Sequence, residues 1–291
     1  LPFAQFDREK GVVGAEAFDR PDMISVEYAV DQLLFPAANG GATVIGTDKS
    51  RASISIDDVE AFYAQHYVPL NTAVVVAGDV SLDDARAIVE QGLRGPPGVA
   101  DVRAQDEREA PNVPSEAKAL SFVTITAQAH LVDGAKPGAC AAAAGVLELR
   151  LRRLVIAERG LAAQIGADCH RERGHEFLVV YGATTSPESS QLPDWMERVS
   201  AEGARVPPSA DERTVVERRR RVQLAWMKAR ASGYADAIAF ATGRSDEPFA
   251  VAAPRIAKPA PLHWAGAAQV LSLVADDKRT AKAHFSRFEA D

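Results

Sequence analysis

The chain has 291 residues, 47% of them hydrophobic and 25% charged, with a formal net charge of −7 and a pI near 5.5. Those proportions belong to a globular protein, and the length suggests two domains of ordinary size or one and a half larger ones. The diffuse acidic balance argues against nucleic acid as the main partner, and the longest apolar runs, "TAVVVAG" and "FLVVYGA", are too short to span a bilayer.

Near the start, "DREKGVVGAEAFDR" (Asp7–Arg20) sets Glu9 and Glu16 seven residues apart, close to two helical turns, so that both carboxylates share one face. Val12 and Val13 lie between them and suggest a core nearby, although a solvated acidic face accounts for the pair as it stands. Arg8–Leu34 reads as mostly helical, with Pro21 suited to begin a second helix. "FPAANGGATVIG" (Phe35–Gly46) is rich in turn formers and reads as a loop. Ser55–Tyr67 is a helix with a clear start, capped by Ser55 with Asp57 and Asp58 in its first turn. Val59, Phe62, Tyr63 and Tyr67 share one of its faces, and Pro69 ends it. "TAVVVAGDV" (Thr72–Val80) reads as a buried strand, and Ser81–Leu93 as a second capped helix.

Gly95–Lys118, with "GPPG" and "APNVP", has the composition of a linker. Leu120–Leu131 alternates like a strand. Gly138–Gly160 is a long helix, and Leu161–Thr185 reads as two strands around the turn "RERG". Helices follow at Pro193–Ala204 and Asp211–Gly243, the second carrying the basic run "ERRRRVQ" (Glu217–Gln223), which reads as a solvated face. Pro261–Phe285 reads as helix and broken strand. "DREKGVVGAEAF" at Asp7 and "DERTVVERRRRV" at Asp211 share a charged start and paired valines, a faint internal repeat.

Chemistry-bearing patterns are few. Cys140 and Cys169 make no metal pattern and no disulfide framework; one bridge between them is possible. "CHRERGHE" (Cys169–Glu176) brings Cys169, His170 and His175 close together, but the spacing fits a polar hairpin better than a zinc site. His66 suits a helix C-terminus. There is no G-x-S-x-G elbow, and "NGGATVIG" lacks the spacing and lysine of a phosphate loop.

One segment is specific. "ISIDDVEAFYAQHYVPLNTAVVVAGDV" (Ile54–Val80) combines a helix bearing Phe62 and Tyr63, then Tyr67, Pro69 and Asn71, then an apolar run ending in Gly78 and Asp79. It resembles the pitrilysin/insulinase family of zinc metallopeptidases, the inverzincins. "FP…VIGT" (Phe35–Thr47) is similar to the loop that precedes this helix in that family. "RLRRLVIAERGLAAQIGAD" (Arg150–Asp168) is similar to a stretch of its second homologous domain.

In that family two histidines and a general-base Glu come from H-x-x-E-H, and a later E-x-x-x-x-x-x-E segment supplies the third ligand. "EKGVVGAE" matches that later form. By resemblance Glu16 is the third zinc ligand, and Glu9 is the catalytic-site carboxylate beside it that steadies the ligand set. No H-x-x-E-H occurs here. The six histidines are His66, His130, His170, His175, His263 and His284, and no two are four residues apart. The resemblance therefore implies a fragment beginning after that motif; a relative that lost the motif is the alternative.

The expected fold class is α+β, with two homologous domains, each of helices packed on a mainly antiparallel sheet, the first one incomplete. Residues 1–98 are expected to be the C-terminal half of a catalytic-type domain, 99–118 a linker, and 119–291 a second, inactive-type domain. The implied function is part of a zinc-dependent metalloendopeptidase that hydrolyses peptides in a closed chamber. Zn2+ belongs to the intact parent, and the isolated chain is expected to bind none and to be inactive. The alternative is a non-catalytic partner or scaffold subunit of the same fold. Expected partners are a peptide or small protein substrate, and a homologous subunit or a second copy. No nucleic acid and no membrane span are expected. The resemblance favours the bacterial periplasm over the cytoplasm.

Overall fold

The computed structural model describes residues 3–19, 48–92, 115–120, 124–172, 175–185, 189–244, 249–276 and 280–286. The helix expected from Pro21, the Phe35–Gly46 loop and most of the expected linker lie outside these. The chain divides into two compact units. The first takes in residues 1–18, 45–108 and 223–258; the second takes in 19–44, 109–222 and 259–291.

In the first unit, helix α1 spans Phe3–Asp19, α2 Asp48–Ser53, α3 Ile56–His66 and α4 Leu82–Gly92. The start of α3 is written locally. Ser55 Oγ accepts from the Asp58 amide, and the Asp58 carboxylate accepts from the Ser55 amide at 2.8 Å, closing a capping box. At the start of α4 the Ser81 hydroxyl accepts from the Asp84 amide at 3.1 Å and donates to the Asp84 carboxylate at 2.6 Å. The reading of Thr72–Val80 as a buried strand does not hold. Residues 72–77 form no strand of the described sheet, and Val74, Val76 and Val80 are exposed. A strand needs a ladder partner for its amides and carbonyls, and no described strand pairs with it. Val75 and Ala77 are half-buried, and Val75 packs against Ile238 and Ile256, as do Met227, Tyr234, Ala237 and Ala253; these partners are brought by the end of α7 (Ala210–Ala229), α8 (Ala231–Arg244) and α9 (Phe249–Ala257). Phe62, Tyr63 and Tyr67 do share a face of α3, but that face is exposed too, with Tyr63 and Tyr67 stacked at 4.8 Å.

Among the described residues the second unit is built on a five-stranded sheet of order β1-β5-β2-β4-β3. Its strands are β1 Ser115–Leu120, β2 Thr124–Leu131, β3 Gln164–Glu172, β4 His175–Thr184 and β5 Thr280–Ser286. Every pairing is antiparallel except β1 with β5. Strand β1 takes in residues 115–118, which composition alone reads as the end of a linker. Helices α5 (Ala139–Leu151), α6 (Leu192–Ala204) and α10 (Trp264–Asp276) pack together on one face. There Ala142, Leu147, Met196, Val199, Val270 and Leu271 meet Ile165, Ala167, Leu178 and Val180 of the sheet. The alternate positions Ile125, Ala127, Ala129, Phe177 and Val179 are just as buried, and so are Thr126, Gln128 and His130. The period-2 pattern of β2 is therefore not an inside–outside alternation: both faces of this strand are covered. His130 Nδ1 lies 2.8 Å from the Thr280 hydroxyl across the β2–β5 pair.

Small residues let the layers close. The run of alanines around Gly145 makes the middle of α5 thin, and a Cβ on Gly145 would lie 2.6 Å from Cγ1 of Val216 on α7. After Leu151 the helix widens into a π turn, Arg152–Ala157, that brings the chain round to β3. The basic run on α7 is only partly a solvated face. Arg220 is half-buried and donates to the Ala260 carbonyl at 2.7 Å, Arg219 lies 3.8 Å from Glu148, and Glu217 accepts from the Trp264 indole at 2.9 Å. Burial pulls the Arg220 guanidinium below its ordinary range.

Candidate functional site

Glu9 and Glu16 stand on one 17-residue helix. Seven residues of rise put them about 10 Å apart along its axis. Both are exposed, and so are Val12 and Val13 between them, which do not form a core edge. Glu9 Oε1 accepts from Arg8 at 2.7 and 3.0 Å. The helix is held by Lys10, whose ammonium donates to the carbonyls of Ala52 at 3.2 Å and Ile54 at 2.9 Å. These carbonyls lie at the end of α2 and just before the Ser55 cap. Lys10 thus ties the acid-bearing helix to the junction of α2 and α3, and it lies 5.3 Å from the centre of the Phe6 ring.

Zinc sites need at least three protein ligands. Among the described residues no group of three or more His, Cys, Asp or Glu side chains converges as such a set would. Two carboxylates on one exposed helix supply hard oxygen donors but no imidazole or thiolate. The residues described in this chain therefore do not fit zinc by themselves.

The other sequence candidates resolve into structure. Cys140 and Cys169 are joined in a disulfide, with 6.0 Å between their Cα atoms, so neither is a thiolate ligand. "CHRERGHE" is the β3–β4 hairpin, with Glu172 opposite His175. His175 Nδ1 lies 2.6 Å from Asp133 Oδ2, while Asp133 Oδ1 accepts from the Glu176 amide at 2.6 Å. His66 does sit at the C-terminus of α3, with its ring 4.4 Å from that of Phe62.

The arginines of Arg150–Arg153 divide in role. Arg152 pairs with Glu148, and Arg153 with Glu158. Arg150 is a hub that spacing did not reveal. Its guanidinium forks onto both carboxylate oxygens of Glu212 at 2.7 Å and donates to the carbonyls of Gly203, Val206 and Pro207. The hydrogen bond from Arg150 holds the Glu212 carboxyl below its usual range against partial burial, helped by Ser209. The one available signal was S-x-x-E at Ser209–Glu212, a capping box opening α7. Tyr181 lies across Gly166 of the neighbouring strand, where a Cβ would sit 2.2 Å from its ring. Desolvation raises this phenol, with the negative charges of Asp168 and Glu148 adding to the shift and Arg152 opposing it. Asp168 itself is raised, chiefly by desolvation.

Comparison with known proteins places these features in context. A family model described as the peptidase M16 inactive domain matches residues 53–206. No curated protein sequence matches the chain. A protease from Helicobacter pylori superposes with a TM-score of 0.70 at 14% identity, over 98% of this chain and 73% of that one. A peptidase M16 inactive domain from Pseudomonas fluorescens gives 0.70 at 19% identity, over 100% and 72%. The first half of the periplasmic protease PqqL from Escherichia coli gives 0.57 at 15% identity, over 97% and 66%. At these identities the structural likeness speaks for the fold.

Proposed function

Because the chain belongs to the peptidase M16 family, we propose that it is part of a zinc-dependent metalloendopeptidase and supplies one carboxylate ligand to a metal whose histidine ligands it does not itself contain. The observation that carries this is the Glu9–Glu16 pair: two acids seven residues apart on an exposed helix face, anchored at Lys10 to the start of the family-matching segment. When bound, zinc supplies Lewis-acid polarisation and lowers the pKa of its water. Glu16 would bring the negative oxygen donor, and Glu9 would steady a neighbouring ligand. On this reading residues 1–98 belong to the catalytic-type domain and 119–291 to its inactive-type homologue. Peptides or small proteins are the substrates, and an extracytoplasmic compartment, the periplasm in a bacterium, is the setting. The isolated chain neither hydrolyses peptides nor retains stoichiometric zinc.

The test is reconstitution. The purified chain is mixed with a polypeptide carrying the H-x-x-E-H half of an M16 domain, and zinc is measured by metal analysis and isothermal calorimetry, peptide cleavage by fluorescence. The mixture gains chelator-sensitive zinc and cleavage, and Glu16→Ala abolishes both. Chelator-sensitive cleavage by the unmixed chain overturns the proposal.

A second reading, a non-catalytic subunit of the same fold, is favoured by one observation: the matching family model is that of the inactive domain. Under it, Glu16→Ala leaves zinc content and cleavage of the reconstituted pair unchanged.

A further inference from the structure

The disulfide joins two places of unequal security. Cys140 lies in the first turn of α5 and is buried. That turn is fixed from another side as well. Gly138, at φ 81°, leaves room for the Pro261 carbonyl, which a Cβ would meet at 2.0 Å. The Gly138 carbonyl accepts from the His263 amide at 3.2 Å, and Gly266 of α10 packs against Ala139. Cys169 is on β3, the outer strand of the described sheet, whose one strand neighbour among the described residues is β4. Residues Ile165 and Ala167 hold the first half of β3 in the core, but His170 and Arg171, just past the bridge, are exposed. The opposite strand is secured separately, since Asp133 clasps His175 and the Glu176 amide. The bridge therefore pins the outer half of an edge strand to a fixed point beneath it.

We infer that Cys140–Cys169 is a redox-set latch on this edge. In an oxidising compartment, where such bridges persist, the latch is closed and β3 is held along its length. A dithiol reductant delivers two electrons and two protons to the two sulfurs, giving two thiols, while its own thiols become a disulfide. Residues Asp168–Glu172 then open as a local unit and leave their strand-edge amides and carbonyls unpaired. The core formed by α5, α6, α10 and the first half of β3 stays folded.

Hydrogen exchange read by mass spectrometry on the full chain, with and without dithiothreitol, tests this. The expected result is at least tenfold faster exchange for amides of Asp168–Glu172 on reduction, with α10 and β2 unchanged. Cys140→Ala/Cys169→Ala should exchange like the reduced chain in both buffers. Unchanged exchange in β3 overturns the latch. So does acceleration spread evenly through the second unit, because the bridge would then hold the whole unit. A non-reducing peptide map of chain exported to an oxidising compartment that lacks the Cys140–Cys169 peptide pair overturns it as well. Because the readout involves no metal and no cleavage, its failure is separate from any failure of the peptidase reading.

Discussion

Arg150 offers a sharp energetic test of how the second unit is held. Replacing it by methionine keeps most of the stem and removes the guanidinium. Both oxygens of Glu212 and the carbonyls of Gly203, Val206 and Pro207 lose their donor together. The side chains of the pair are 12% and 23% exposed. Breaking a buried pair from one side costs about 3–5 kcal/mol. Glu212 keeps the Ser209 amide at 2.8 Å and some access to water, so the lower end, about 3 kcal/mol, is expected. Urea unfolding followed by tryptophan fluorescence measures it, with the m-value unchanged. In a double-mutant cycle with Glu212→Gln the coupling should be about 1–3 kcal/mol. A loss under about 1 kcal/mol in Arg150→Met, or a coupling of zero, refutes the reasoning, because the fork would then be no more than a surface contact. The pH dependence fixes the sign. A carboxyl depressed in the folded state contributes stability above its unfolded pKa and loses it as pH falls through the folded one. The advantage of wild type over Arg150→Met should therefore be constant near neutrality and shrink as pH falls below about 4.3.

Gly145→Val forces a branched side chain against Val216, whose Cγ1 already lies 2.6 Å from where a Cβ would stand; overpacking of this kind costs about 1–3 kcal/mol, read as a lower melting temperature by calorimetry. Asp168→Asn removes a negative neighbour that helps raise the Tyr181 phenol, so ultraviolet titration should show that phenol ionising at lower pH than in wild type. Lys10→Met releases the carbonyls of Ala52 and Ile54; in the reconstituted pair it should weaken zinc affinity while leaving the urea midpoint of the second unit unchanged.

What the sequence made legible was mostly local. Ser55 with Asp58, Ser81 with Asp84 and the pairing of Glu172 with His175 each fix an element boundary through neighbours a few residues apart. Thr72–Val80 was misleading because β-branched composition reports fitness for a pleated surface, not the presence of a partner strand. Leu120–Leu131 showed the alternation of a strand, but the burial of Thr126, Gln128 and His130 depends on packing from segments remote in sequence. Cys140 and Cys169 could be counted but not paired, since pairing needs the approach of α5 to β3. The Glu9–Glu16 spacing was readable as one helix face, and the structure bears this out. On the proposed reading their role needs histidine ligands, and this sequence has no H-x-x-E-H to offer them, so spacing alone does not assign it.

Strand β5 lies between β1 and β2, although it comes last in chain order among the described strands; its Thr280 meets His130 across 150 residues. Until β5 has been synthesised, β1 has no strand neighbour among the described residues and β2 has only β4 of its two described ones. During synthesis, then, the hairpin of β3 and β4 can form early on β2, while the far side of the sheet waits for nearly the whole unit to leave the ribosome. A nascent chain stalled before Thr280 would carry an unfilled slot of strand width, and chaperones that recognise exposed strand edges would find it there.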